Sequence, residues 1–240
     1  MKYLIGEKKR QEKVVALISG GMDSTISLAW ATDVWSPKNI TAVSILYGQT
    51  HEVELASAKK IASLAGVEHL VLRESALSEL KGSALLDRGI DVNLKIDGLP
   101  ATFVPSRNLL FLSIASAVAY RKGARNIVLG AGQADWTGYP DTRDNSLKLS
   151  QCALSSCLGK EVTVWTPCMW LTKAEEIELM KDLGKLDWLK FTYSCYRGGK
   201  KSCGSCPSCR KRIQAFKEAR VIDPIEYEVD LDWSGCERIT

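Results

Sequence analysis

Apolar positions along the chain follow two alternating rhythms. Val14-Val15-Ala16-Leu17-Ile18 is a short unbroken apolar run, the pattern of a strand covered on both faces, and it feeds a helical stretch from Ser24 to Ala31. A second run, Ile40 to Leu46, precedes EVELASAKKIASLAG (52–66), where apolar residues return every three or four positions until a glycine ends the helix. His69 to Leu72 reads as a third strand. RNLLFLSIASAVAYRKG (107–123) predicts an apolar helix stopping at Gly123, NIVLG (126–130) a further strand, and TKAEEIELMKDLG (172–184) an amphipathic helix. Its first residues, Thr172 to Glu175, form a capping-box pattern, which sets a helix start and carries no chemistry of its own. Strand and helix in alternation predict an α/β fold: an open, mostly parallel sheet with helices on both faces. Between residues 75 and 100 the pattern weakens into a long loop, expected beside the carboxyl ends of the strands where such sheets bind ligands.

Composition narrows the class. The 240 residues suit one nucleotide-binding α/β domain, expected over 1–190, with a small C-terminal module and tail over 191–240. No stretch approaches the roughly 20 apolar residues of a membrane span. The start, MKYLIGEKKRQEK, puts its charges after the apolar residues, the reverse of a secretion signal, so a cytoplasmic protein is expected. A net charge of +4 from 32 basic and 28 acidic residues does not argue for wrapping nucleic acid. Of the eight cysteines, four crowd into residues 195–209, a metal-site pattern for a reducing compartment rather than a disulfide scaffold.

The chemistry concentrates in two places. SGGMDS (19–24) lies between a predicted strand and a predicted helix, where backbone N–H groups and a helix dipole favour an anion. Gly20 and Gly21 let backbone approach phosphate oxygens, Ser19 and Ser24 donate hydroxyls, and Asp23 is a candidate Mg²⁺ ligand. The loop lacks the lysine that ordinary P-loops apply to the β and γ phosphates. A plain tight turn capped by Asp23 or Ser24 is the bland alternative. The second place is SCYRGGKKSCGSCPSC, with Cys195, Cys203, Cys206 and Cys209 spaced C-x₇-C-x₂-C-x₂-C. Four thiolates close a tetrahedral shell around structural Zn²⁺, and an iron–sulfur cluster is the rival occupant. Zinc here is expected to serve folding rather than chemistry.

SGGMDS resembles the pyrophosphatase loop of the PP-loop ATPase superfamily, which cleaves ATP between the α and β phosphates. YGQTHEVEL (47–55), LPATFVPSRNLLFL (99–112), GYPDTR (138–143), WLTKAE (170–175) and the cysteine segment, in order over about residues 13–219, are similar to the 7-cyano-7-deazaguanine synthases, the QueC family. The resemblance implies ATP-dependent conversion of 7-carboxy-7-deazaguanine and free ammonia to the nitrile, with AMP and pyrophosphate released, in a homodimer. ATP is then expected at Ile18, Ser19, Gly20, Gly21, Met22, Asp23, Ser24 and Thr25. Arg107 joins that set, and Asp23, Ser24, His51 and Arg107 are the catalytic candidates. Arg107 and Asn108, at a helix start, suit a phosphate or a carboxylate. Tyr47, Gln49 and His51 follow the second strand; Asp135, Trp136, Asp141 and Arg143 follow the strand ending at Gly130 and suit a guanine-like ring. His51 is the candidate acceptor of a proton from ammonia.

The chain departs from the family pattern at Thr50, Gly132, Trp136, Thr137 and Thr142, around the substrate pocket. An enzyme that stops at the amide, or couples the carboxylate to another amine, including one on a protein, therefore stays open. So does a tRNA-modifying enzyme using Lys200, Lys201, Arg210, Lys211 and Arg212 as a basic strip.

Overall fold

The computed structural model describes residues 9–48, 53–132 and 138–238. The chain runs β1 (Val14–Leu17), α1 (Met22–Val34), β2 (Ile40–Leu46), α2 (Val53–Ala65), β3 (Glu68–Arg73) and α3 (Ala76–Glu79). It continues through β4 (Lys95–Ile96), β5 (Leu99–Pro100), α4 (Arg107–Lys122), β6 (Asn126–Val128), α5 (Asp144–Leu158), β7 (Thr163–Trp165), α6 (Lys173–Asp182) and α7 (Pro207–Glu218). Five strands make one parallel sheet in the order β3-β2-β1-β6-β7, with Val15 of β1 paired to Thr41 on one side and Ile127 on the other.

The unbroken apolar run of β1 follows from its central place. Val15 and Leu17 pack with Leu112 and Ala115 of α4 and Leu147 and Leu154 of α5. Val14, Ala16 and Ile18 point the other way, onto Leu28 of α1 and Ala58 and Ile61 of α2. Each fully buried Val, Ile or Leu stabilises by about 1.5–3 kcal/mol, so alternation across one strand holds both helical layers. A third layer lies outside α1, where Met22 and Ile26 meet Met180 of α6 and Phe216 of α7.

The predicted helices end as expected: Gly123 adopts φ 70° as the C-cap of α4, and Thr172 forms both halves of the capping box with Glu175. Three elements were not legible. β7 has three residues, α5 exposes Leu149, Cys152 and Ala153 instead of a polar face, and α7 hides its start among cysteines. Residues 75–100 hold α3 and a β4–β5 hairpin, turned at Asp97 and Gly98, which both have positive φ (50° and 81°). Among the described residues no helix is long and apolar enough to cross a membrane.

Candidate active site

Chain order reverses between β1 and β6, and the loops leaving their carboxyl ends meet there, the usual ligand crevice of an open α/β sheet. The contact is close: a Cβ on Gly130 would lie 2.6 Å from the Ser24 nitrogen. SGGMDS is folded by its own hydroxyls. Ser24 Oγ donates to the Gly21 carbonyl (3.1 Å) and lies 3.0 Å from Ser19 Oγ, which accepts from Gly21 N–H (3.2 Å). Gly20 sits at φ +88°, and a Cβ there would overlap the Glu54 carbonyl oxygen of α2, so glycine is required twice over. Gly21 is the N-cap of α1 and supplies no side-chain cap. The first-turn amides therefore face the crevice with the positive end of the helix.

The lysine absent from the loop arrives from α6. Lys173 Nζ stands 2.6 Å from Asp23 Oδ1 and 3.1 Å from Glu176 Oε1, and Glu176 is fully buried. Two carboxylates and one ammonium cannot all be neutralised. Burial, and next the Asp23 charge, hold the Glu176 carboxyl well above the usual carboxylate range, so it keeps its proton and Lys173 pairs with Asp23. Gly132 completes this corner, since a Cβ on it would lie 3.1 Å from Glu176 Oε1. The capping box therefore does more than start a helix: it aims Lys173 at the phosphate loop.

From the loop a cavity of about 490 Å³ extends over the strand ends, a size suited to small molecules. On its wall Arg107 Nη1 donates to Tyr47 Oη (3.3 Å) and the guanidinium lies over the Tyr47 and Phe111 rings. Arg107 Nε is buried with no partner among the described residues, an unsatisfied donor in a ligand-sized space. Ser106, the N-cap before it, is held at φ 59°, a left-handed conformation that costs a non-glycine residue about 1–2 kcal/mol. Asn108 lines the cavity beside Arg107 and donates through its backbone N–H (2.9 Å) and Nδ2 (3.0 Å) to Asp141 Oδ2. Asp141 thus caps α4.

The four thiols of the C-terminal module are buried, and their sulfurs all lie within 4.8 Å of one another. A tetrahedron with Zn–S bonds of about 2.3 Å has edges of about 3.8 Å, and Cys203 Sγ to Cys209 Sγ is 3.9 Å. Backbone N–H groups of Arg197 and Cys203 point at Cys195 Sγ, those of Ser205 and Cys206 at Cys203 Sγ, and that of Cys209 at Cys206 Sγ, at 3.3–3.4 Å. Amides aimed at sulfur stabilise thiolate, the form that binds metal. Hydrogen bonds from Cys206 and Cys209, then the amides, pull the Cys195 thiol far below its ordinary range. The donor set fits a four-thiolate metal.

The module also walls the cavity. Tyr193, Ser194, Tyr196 and Lys211 line it, and Tyr193 N–H donates to the Gly20 carbonyl of the phosphate loop (2.9 Å). Besides any part it has in folding, the cysteine segment thus borders the site through this contact. The basic strip is corrected, because Arg212 is 2% exposed and bonded to Asp223 at 2.7 and 2.9 Å. Lys201 pairs with Glu226 at 3.1 Å, and Lys211 turns to the cavity.

Of the expected site residues, Ile18, Ser19, Gly21, Met22, Asp23, Ser24, Tyr47, Arg107 and Asn108 line this one cavity. Thr25 is fully buried and braces the loop through its hydroxyl on the Gly21 carbonyl (2.8 Å). Asp141 and Arg143 stand behind the cavity wall, Asp141 on Asn108 and Arg143 as the exposed N-cap of α5. Gln49, Thr50, His51, Asp135, Trp136 and Thr137 lie outside the described residues. Thr142 is buried against the cavity, its hydroxyl donating to the Tyr139 carbonyl (2.7 Å). Sequence reasoning passed over Lys173, Glu176 and Glu54, although the segments WLTKAE and HEVEL carried two of them in view.

Fold and loop together define an α/β protein of the PP-loop class bearing a cluster of four cysteines. The profile of the queuosine biosynthesis protein QueC family matches residues 13–220. A 7-cyano-7-deazaguanine synthase of Chromobacterium violaceum is 44% identical over 217 residues, covering 89% of this chain and 93% of its own. One of Staphylococcus saprophyticus subsp. saprophyticus is 42% identical over 206 residues, covering 85% and 92%. Among solved structures, an NH3-dependent NAD synthetase from Campylobacter jejuni in complex with nitrate aligns with a TM-score of 0.46 and 12% identity over 75% of this chain and 69% of its own. The chain belongs to the QueC family.

Proposed function

We propose that the protein is an ATP-dependent 7-cyano-7-deazaguanine synthase. The observation that carries the reading is a single cavity lined both by the phosphate loop, with Lys173 beside it, and by a partly unsatisfied Arg107. Two anion-binding groups on one cavity suit pyrophosphate as a departing group on the loop and a carboxylate on the guanidinium.

A carboxylate is a poor electrophile. Transfer of AMP from ATP to its oxygen, with pyrophosphate leaving, converts that oxygen into part of a leaving group. Ammonia then forms the C–N bond as the C–O bond to AMP breaks, giving the amide. A second transfer to the amide oxygen, followed by loss of AMP and of the nitrogen's remaining protons, gives C≡N. Loop amides and Lys173 stabilise the charge that grows on pyrophosphate. Arg107 orients the carboxylate, and the apolar strand ends restrict water that would hydrolyse the adenylate. Mg²⁺ belongs to this reading with Asp23 as its ligand; the Lys173 ammonium now on that carboxylate has to share or yield it.

Incubating the protein with 7-carboxy-7-deazaguanine, ATP and ammonium is expected to give the nitrile by mass spectrometry, with two AMP per product. An amide end product would favour the divergent reading, and absence of AMP would sink both. A homodimer is part of the proposal. Leu109 and Tyr120 of α4 and Leu149 of α5 are large, exposed and apolar on helices that pack together, and sedimentation is expected to give twice the 26.4 kDa chain mass. Buried thiolates on a metal fit the reducing conditions of a cytoplasm.

A further inference from the structure

We propose that Glu54 is the catalytic base of this site, taking the protons that nitrogen sheds as carboxylate becomes nitrile, a role that rests on the synthase reading above. Two carboxylates line the cavity among the described residues, Asp23 and Glu54. Asp23 is committed to Lys173. Glu54 accepts no hydrogen bond from any described residue, although it stands in the first turn of α2, pinned where its own carbonyl touches Gly20 of the phosphate loop. Its side chain lines the same cavity as that loop and is within reach of the Arg107 charge, with Tyr47 and Tyr193 as its other titratable neighbours. An acidic group that lines the cavity beside the phosphate loop and is spent on no structural bond is available for proton transfer.

Burial raises the Glu54 carboxyl to about 7, against the opposing charge of Arg107. A group of that strength is about half ionised at neutral pH and still attracts a proton, the compromise general-base catalysis favours. The need is stoichiometric. When ammonia's lone pair forms the C–N bond and the C–O pair leaves with AMP, nitrogen must lose one proton. In the second round it loses two more: one as the amide oxygen takes AMP and pyrophosphate departs, one as the last C–O bond breaks and the N–H pair becomes the third C–N bond. Glu54 receives each proton and returns it to solvent before the next. His51, the proton acceptor expected from the sequence, stands three residues earlier and lies outside the described residues.

The test is Glu54→Gln in the full-length, metal-loaded protein, with Glu54→Asp beside it. Substrate-dependent ATP–pyrophosphate exchange without ammonium reads the first adenylation and is expected within about threefold of wild type. Nitrile formation is expected to fall by about 10²–10⁴-fold. In wild type the rate should fall as pH drops through about 7, and this limb should vanish in the Gln variant and persist in the Asp variant, which recovers part of the rate. The variant should also fold as well as wild type. A carboxyl raised above its unfolded value contributes stability at low pH that is lost as pH rises toward 7, so Glu54→Gln is expected to melt no lower than wild type at pH 8. Nitrile formation within threefold of wild type, a retained acid limb, or exchange falling in step with nitrile formation would each overturn the proposal. Wild-type protein that makes no AMP or nitrile would instead overturn the synthase reading on which it rests.

Discussion

Lys173→Met is expected to reduce AMP-forming turnover by about 10²–10³-fold, the usual effect of removing one preorganised donor from a developing oxyanion. The physical case begins with the loop. SGGMDS offers amides and hydroxyls but no fixed charge, and its Asp23 would repel a polyphosphate. The Lys173 side chain is 12% exposed and contacts Asp23, in the first turn of α1, at 2.6 Å, so it cancels that repulsion beside the open amides of the helix. Methionine keeps the length and apolar stem while removing the charge. Steady-state release of pyrophosphate and AMP checks the effect, and turnover within threefold of wild type would remove Lys173 from the phosphate site. Stability supplies an independent readout. Glu176 is already raised by burial and by Asp23; without the ammonium its carboxyl rises further, so its stabilising contribution is present at low pH and lost as pH rises. The melting temperature of Lys173→Met should therefore fall further below wild type at pH 8 than at pH 6.

Cys206→Ser is expected to abolish both metal binding and turnover. Cys206 is one of the four clustered sulfurs and also the N-cap of α7, where its sulfur accepts from Cys209 N–H (3.4 Å). Four-thiolate zinc contributes about 10–16 kcal/mol of apparent binding energy in small domains, more than most domains have in total. Its loss frees α7, which carries Arg212 into a buried pair with Asp223 and Phe216 into the core shared with α1 and α6. It also frees Tyr193, whose backbone holds the Gly20 carbonyl. Elemental analysis is expected to give one zinc per wild-type chain, and calorimetry a large fall in melting temperature for the variant. Iron and inorganic sulfide in anaerobically purified protein would assign the site to a cluster instead. A variant that keeps its fold and its turnover would refute the metal's place in the active-site wall.

The parallel sheet was legible because its signal is local. Val14 to Ile18 is apolar on both sides of one strand, and Gly123 and Thr172 announce helix ends within a few residues of where they act. SGGMDS and the cysteine quartet were legible for the same reason: glycine backbone freedom, hydroxyl donors and metal-ligand spacing operate over single turns of chain. α5 was not, since its exposed Leu149 and Cys152 blur the polar face that periodicity needs.

Arg212 shows the limit from the other side. Among Arg210 and Lys211 it looked like one more surface charge, yet the fold buries it against Asp223, eleven residues away. Lys173 lies 150 positions beyond Asp23, and no spacing rule connects them. Glu54 acquires its proton affinity from burial beside Gly20, and Tyr196 becomes cavity wall because the thiolate loop folds back onto the sheet. Residue order thus settled the layered α/β class, the SGGMDS loop and the four-cysteine cluster, which depend on neighbours along the chain. The Lys173–Asp23 pair, the raised proton affinity of Glu54 and Glu176, and the cysteine segment's share in the cavity were decided in three dimensions. Charge pairing and desolvation act through space between residues that the sequence keeps far apart.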